Sequence, residues 1–163
     1  MLPIQIRRME SADLEKVLEL DQRSFILPWP ASSFKFELNH NEVSRCWVVE
    51  VSPEAGSPVL AGMAVVWMII DEVHIATIAV HPEYRGRKIA QRFLAFILLD
   101  AYHAGATRSF LEVRRGNLPA RTLYERFGYV ETGVRRNYYK DNGEDAIMME
   151  LEKVDPIKLE SFR

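Results

Sequence analysis

Apolar side chains alternate at Ile4 and Ile6 before Arg7-Arg8, which predicts a short first strand. Ser11 is the expected N-cap of a helix, with Asp13 and Glu15 in its first turn, where the helix dipole favours acids. Leu14, Val17, Leu18 and Phe25 then keep helical spacing on one face. Pro28-Trp29-Pro30 breaks that helix, and a second short one is predicted over Ala31 to Leu38. Cys46 to Val51 and Val59 to Ile70 are β-rich runs flanking the turn signal Pro53-Glu54-Ala55-Gly56, a hairpin pattern. Asp71-Glu72 makes a tight connection into a strand from Val73 to Val80. From Ile89 to Ala104 the chain is amphipathic, with Ile89, Ala90, Phe93, Leu94, Ile97 and Ala101 on one helical face. A strand over Ser109 to Val113 precedes a helix over Pro119 to Phe127, with Pro in its opening turn and Gly128 at its end. Tyr129 to Asn137 and Asp145 to Leu151 close the pattern as two strands around a polar loop, Tyr139 to Glu144. The order β-α-α-β-β-β-α-β-α-β-β predicts an α/β domain with a mixed sheet.

The 163 residues, 48% of them hydrophobic, are enough for one well-filled core, and no repeat or Pro/Gly-rich linker divides them, so one domain is expected over 1–163. The longest uncharged run, Ala55 to Ile70, is interrupted by Gly56, Pro58 and Gly62 and is too short to span a bilayer. The first ten residues carry no apolar stretch of the kind a secretory leader uses. Cys46 is the lone cysteine, which excludes an intrachain disulfide, and the four histidines lack metal-ligand spacing. A cytoplasmic protein without metal, membrane or general nucleic-acid binding is the expectation. Net charge is −2, but its distribution is uneven: 1–84 hold 6 basic and 12 acidic residues, 85–140 hold 12 and 4, and 141–163 hold 3 and 7. A positive block between negative ones suits a polyanionic ligand beside a neutral or cationic partner; solvated helix faces would give the same count.

The most informative stretch runs from Ile78-Ala79-Val80 through His81-Pro82-Glu83-Tyr84 into Arg85-Gly86-Arg87-Lys88-Ile89-Ala90-Gln91. A β-branched strand enters a basic, glycine-containing turn that opens directly into a helix. The unpaired N–H groups at that helix start, with the positive end of its dipole, suit a pyrophosphate. The pattern is neither G-x-x-x-x-G-K-[ST] nor G-x-G-x-x-G. It does resemble the acetyl-CoA pyrophosphate loop of the GNAT N-acyltransferases, usually Q/R-x-x-G-x-G/A. Arg85 and Ala90 match its ends, while Lys88 stands where glycine is usual. A right-handed backbone at Lys88 would tolerate the change, and a positive φ would cost about 1 kcal/mol or more.

A second motif agrees. Asn117-Leu118-Pro119-Ala120-Arg121-Thr122-Leu123-Tyr124-Glu125-Arg126-Phe127-Gly128-Tyr129 is similar to the N-x-x-A-x-x-L-Y-x-x-x-G-F/Y segment of the same superfamily. With Leu111-Glu112-Val113-Arg114 before it, and Arg135-Arg136-Asn137-Tyr138-Tyr139 and Asn142-Gly143-Glu144-Asp145-Ala146 after, it resembles the RimI-like branch, bacterial ribosomal-protein alanine N-acetyltransferases. The resemblance implies a GNAT fold: a mixed, mostly antiparallel sheet of six to seven strands flanked by about four helices. It implies acetyl-CoA as co-substrate, held by Ile78 to Val80, Arg85 to Gln91 and Asn117, and the N-terminal segment of a ribosomal protein as acceptor.

The chemistry can be read from residue types as well. Acetyl transfer to an amine needs a deprotonated nucleophile and a proton for the departing thiolate. Glu112 lies in an otherwise apolar strand, where desolvation should raise a carboxylate pKa toward that of a useful base; in the family this position supplies the base. Tyr124, a phenol with an ordinary pKa near 10, corresponds to the family's acid. Asn117 is either an N-cap, a coenzyme contact, or both. Tyr138 and Tyr139 line a peptide groove or simply suit an edge hairpin, and Phe25 and Trp29 line a substrate pocket or pack in the core. A broader N-terminal, lysine or small-amine acetyltransferase, and a non-catalytic CoA sensor, are the competing readings.

Overall fold

Residues 2–163 are described by the computed structural model of the chain. The strands are β1 (Ile4–Arg8), β2 (Ser44–Val51), β3 (Val59–Ile69), β4 (Glu72–Val80), β5 (Arg108–Arg114), β6 (Val130–Arg135) and β7 (Ala146–Leu151). The helices are α1 (Leu14–Ser24), α2 (Ala31–Asn39), α3 (Ile89–His103), α4 (Leu118–Phe127) and α5 (Pro156–Glu160). All seven strands join one sheet in the order β1-β2-β3-β4-β5-β7-β6. Of its neighbouring pairs only β4–β5 is parallel, with α3 as the crossover, as a parallel connection requires. Among the described residues no helix is long and apolar enough to cross a membrane.

Two clusters of buried side chains cover the two faces. On one, α3 lays Phe93, Leu94, Ile97 and Leu98 against Val66, Val73, Ile75, Leu111 and Val113, and Tyr124 and Phe127 of α4 join them. On the other, Val17 and Leu20 of α1 and Phe34 of α2 pack on Cys46, Val48, Met63 and Val65. The second layer spans only the β1–β4 side, so the outward row of β5, including Phe110, Glu112 and Arg114, is only partly covered.

Three features differ from the sequence-based expectation. Ser11 is not the cap: it opens a 3-10 turn, Ser11–Asp13, in which Asp13 accepts from the Glu10 N–H at 2.8 Å. Asp13 is held there by Arg7, whose guanidinium bridges it to Glu50 on β2. That tertiary ion pair outweighs the local capping preference of serine. Next, β6 is shorter than expected because Asn137, at φ 50, turns the chain out of the strand. Finally, α5 is an additional helix of five residues, capped by Asp155 and buried through Leu159 against the α3 side of the sheet.

The parting of β4 from β5 positions everything that follows. The two strands pair only from Glu72–Ile75 with Arg108–Leu111. Immediately beyond, the β3–β4 register passes from Ile75 to Thr77 and leaves Ala76 as a bulge. A bulge bends its strand and strengthens the local twist. Ala76–Val80 and Glu112–Arg114 therefore do not pair with each other, and the sheet opens between its two central strands.

Candidate active site

At the open end of β4, the chain turns through Pro82–Tyr84 into Arg85–Lys88 and then α3. Gly86 sits at φ 75, a left-handed conformation that glycine adopts freely. Lys88, the residue before the helix, is also left-handed, at φ 60 and ψ 13. The unfavourable alternative for Lys88 is thus the one realised, with its cost of about 1 kcal/mol. In return the turn aims its backbone outward. From Gly86 to Gln91 no main-chain N–H donates a hydrogen bond within the described residues, whereas Arg92 N–H resumes the helix ladder to Lys88 O at 3.0 Å.

This run of uncommitted donors at the positive end of a fifteen-residue helix has the geometry an anion needs. The charge pattern sharpens it. Arg108, Arg114, Arg115, Arg121 and Arg135 of the positive block are spent on carboxylates. Arg85, Arg87 and Lys88 form no ion pair among the described residues and stand exposed at the turn. Arg85 Nε instead donates to Val80 O at 3.0 Å, and Arg87 lies over the Tyr84 ring. Of the other residues expected here, Ala79 and Val80 are buried and Ile78 half-buried, lining the strand by its backbone. The Ile89 side chain is buried in the core, Ala90 packs beside it, and the Gln91 amide reaches Phe162 O at 3.4 Å. Their contribution to the turn is the main chain. Asn117 caps α4, accepting from the Ala120 N–H at 3.3 Å.

Glu112 and Tyr124 approach the opening from opposite faces of the sheet. The apolar surroundings expected for Glu112 are not what it meets: its carboxylate accepts from Arg135 Nε at 2.8 Å and is 30% exposed. β7 lies between β5 and β6, and the two outer side chains reach across it. The Tyr124 phenol also departs from expectation, for burial pushes its pKa well above 10 and the Tyr139 phenol adds to the rise. Among the described residues its hydroxyl has no hydrogen-bond partner, and it is not sealed from solvent.

The loop between β6 and β7 completes the cluster. Burial, and then the Glu112 carboxylate, raise the Tyr138 phenol. Tyr139 is pushed up to about 12, chiefly by burial, with Arg114 opposing and Tyr138 and Glu112 adding. The two rings meet edge to face at 5.2 Å. Tyr139 is therefore within electrostatic range of both Glu112 and Tyr124. Between α1 and α2, Phe25 and Trp29 are half-buried against the second core, Trp29 tilted on Phe34 at 5.2 Å. Between them Ile26, Leu27 and Pro28 face solvent; Ile26 and Leu27, 70% and 49% exposed, were not singled out by the sequence reading.

Asp21 was also missed. It is 1% exposed, anchors this turn by accepting from the Trp29 N–H at 2.7 Å, and has its other oxygen unpartnered. Burial pushes its pKa up to about 6, against the lowering from that one hydrogen bond. The signal was present in the sequence, since an acid at position 21 interrupts the apolar stripe of Leu14, Val17, Leu18 and Phe25.

Residues 14–129 match the acetyltransferase (GNAT) family. A ribosomal protein bS18-alanine N-acetyltransferase of Escherichia coli is 30% identical over 148 residues, covering 90% of this chain and 95% of that protein. A Bacillus subtilis protein provisionally given the same name is 38% identical over 144 residues, covering 88% and 92%. The crystal structure of the ribosomal-protein-S18-alanine N-acetyltransferase from Escherichia coli superimposes with a TM-score of 0.81 at 28% identity, over 94% of this chain and 95% of that one. With the expected sheet, the anion-receptive turn and these relatives in agreement, the chain belongs to the GNAT acetyltransferase family.

Proposed function

We propose that this protein transfers the acetyl group of acetyl-CoA to the N-terminal α-amine of a ribosomal protein that begins with alanine. One observation carries the reading: the uncommitted N–H run of Gly86–Gln91 follows β4, and Glu112 lies on β5 where the two strands no longer pair. The relatives named for alanine acetylation support the choice of acceptor. Such a substrate also fits a cytoplasmic protein.

In this reading the turn residues Arg85–Gln91 bind the coenzyme's pyrophosphate through their N–H groups, and acetyl-CoA supplies the thioester. Glu112, directly or through one water, takes a proton from the α-ammonium. The free amine attacks the thioester carbonyl, the C–S bond breaks, and the Tyr124 hydroxyl gives its proton to the departing thiolate; the second proton the nitrogen sheds as the amide forms restores the phenol, and Glu112 releases its own to solvent. The raised Tyr124 pKa keeps that proton in place across the neutral range. The α-amine, of pKa about 7.7–8.0, gives up its proton far more readily than a lysine of pKa about 10.4. At pH 7.5 a sizeable share of N-termini is already neutral, against roughly one lysine in a thousand.

Peptides sharing one body, with alanine, serine, leucine or tryptophan first and an internal lysine, would be incubated with acetyl-CoA and sequenced by mass spectrometry. The alanine peptide should be acetylated at its terminus, the bulky ones little, and the lysine not at all. Acetyl on the lysine of a peptide with a free alanine terminus would overturn the acceptor assignment.

A further inference from the structure

We propose that Arg114 is a positioning residue that fixes the Tyr138–Tyr139 segment beside the reaction site and thereby sets affinity for the peptide acceptor. The inference rests on the N-terminal acceptor reading above. Arg114 ends β5 two residues after Glu112, so strand alternation puts both side chains on one face. Its guanidinium lies 3.9 Å from the Tyr139 ring centroid, a close cation–π distance. Its Nη2 donates to Asp141 Oδ1 at 3.0 Å, and its Nη1 to Glu144 Oε1 at 3.2 Å. One side chain of the catalytic strand therefore holds the loop by a ring face and two carboxylates, and it is only 18% exposed.

The loop is built to receive it. Glu144 places its second oxygen on the Gly116 N–H at 2.8 Å, and any Cβ at Gly116 would lie 2.9 Å from that oxygen. Asp145 accepts from the Asn137 N–H at 3.0 Å and pairs with Arg115, pinning the other end. Between the pins, Tyr139 N–H donates to Glu144 O and Gly143 N–H to Tyr139 O. Without Arg114 the loop loses its central fastening while α4 and the turn before α3 keep theirs. A planar fork is needed, because a lysine ammonium cannot stack on the ring and reach two carboxylates together.

The test compares Arg114→Gln, Arg114→Lys and Glu144→Gln with the unaltered chain, by steady-state kinetics on the alanine-terminated peptide and by hydrogen exchange. Arg114→Gln should raise peptide KM about tenfold or more and leave the acetyl-CoA KM within about twofold. Amides of 137–145 should exchange faster while those of α3 do not. Arg114→Lys should recover part of the loss. Glu144→Gln, which keeps the side chain's shape and an oxygen for the Gly116 N–H, should move the same readouts in the same direction and add little to Arg114→Gln. Equal rises in both KM values, or unchanged exchange in 137–145, would overturn the proposal. If the unaltered chain turns over no such peptide, the acceptor reading falls. The exchange data then decide alone, faster loop exchange supporting the clamp and unchanged exchange overturning it.

Discussion

Replacing Asp21 with asparagine isolates the cost of one buried charge. The carboxyl titrates at about 6 in the folded chain against an ordinary 3.8, because burial penalises its ionised form. The unfolded state releases this proton more easily than the folded state. The ionised carboxylate therefore costs stability, and the cost is fully present above about pH 6 and absent below about pH 4. At about 1.4 kcal/mol per pH unit the gap comes to about 3 kcal/mol at pH 7.5 and under about 1 kcal/mol at pH 4. Asparagine keeps an oxygen for the Trp29 N–H and carries no charge at any pH. Its amide hydrogens introduce a fixed offset, eased if the buried and unpartnered Ser24 hydroxyl accepts one of them. That offset does not titrate. The advantage of Asp21→Asn over the unaltered chain should therefore grow by about 2 kcal/mol between pH 4 and pH 7.5. Urea unfolding at 25 °C across that range measures it, and a difference flat to within about 0.5 kcal/mol would refute the reasoning.

Glu112→Gln removes the base but keeps the shape, so kcat should fall about 10²- to 10⁴-fold near neutral pH and recover in alkali, where the amine is already neutral; an unaltered pH–rate profile would place the base elsewhere. Tyr124→Phe removes a hydroxyl with no hydrogen-bond partner among the described residues, so kcat should drop at all accessible pH values while Tm and acetyl-CoA affinity by calorimetry stay nearly constant. Lys88→Gly relieves a left-handed lysine and should raise Tm by about 2–4 °C for about 1 kcal/mol of strain removed. If the turn works through its N–H groups, that variant should bind acetyl-CoA within about threefold of the original, and a tenfold loss would mean the ammonium takes part.

The junction from Ile78 to Gln91 was legible because its meaning is local: strand, basic turn and helix start follow one another in the chain. The same holds for the α4 motif, where Asn117 caps and Gly128 terminates as read. What escaped the sequence reading was set by distant partners. Ser11 has good capping chemistry, but Arg7, Asp13 and Glu50 decide how α1 begins. The Glu112 environment depends on Arg135, which arrives from a strand two places away in the sheet. A five-residue helix such as α5 offers too little periodicity to distinguish it from a loop. Asp21 was readable, as the one acid in an apolar stripe.

The short β4–β5 pairing also bears on how the molecule comes together. β1 to β4 pair in chain order and carry α1 and α2 on one face, with β2, β3 and β4 joined as successive hairpins. β5, β7 and β6 make a second, self-paired set, joined to the first by four residue pairs and by the packing of α3. Local pairings form early and at low entropic cost, whereas the crossover through α3 must wait for both partners. The chain thus has a natural fault line between two cooperative units, and it coincides with the parting of β4 and β5. A molecule seated there would touch both units at once and lock them together, so the folded enzyme and its loaded form should differ most in how independently the two halves open.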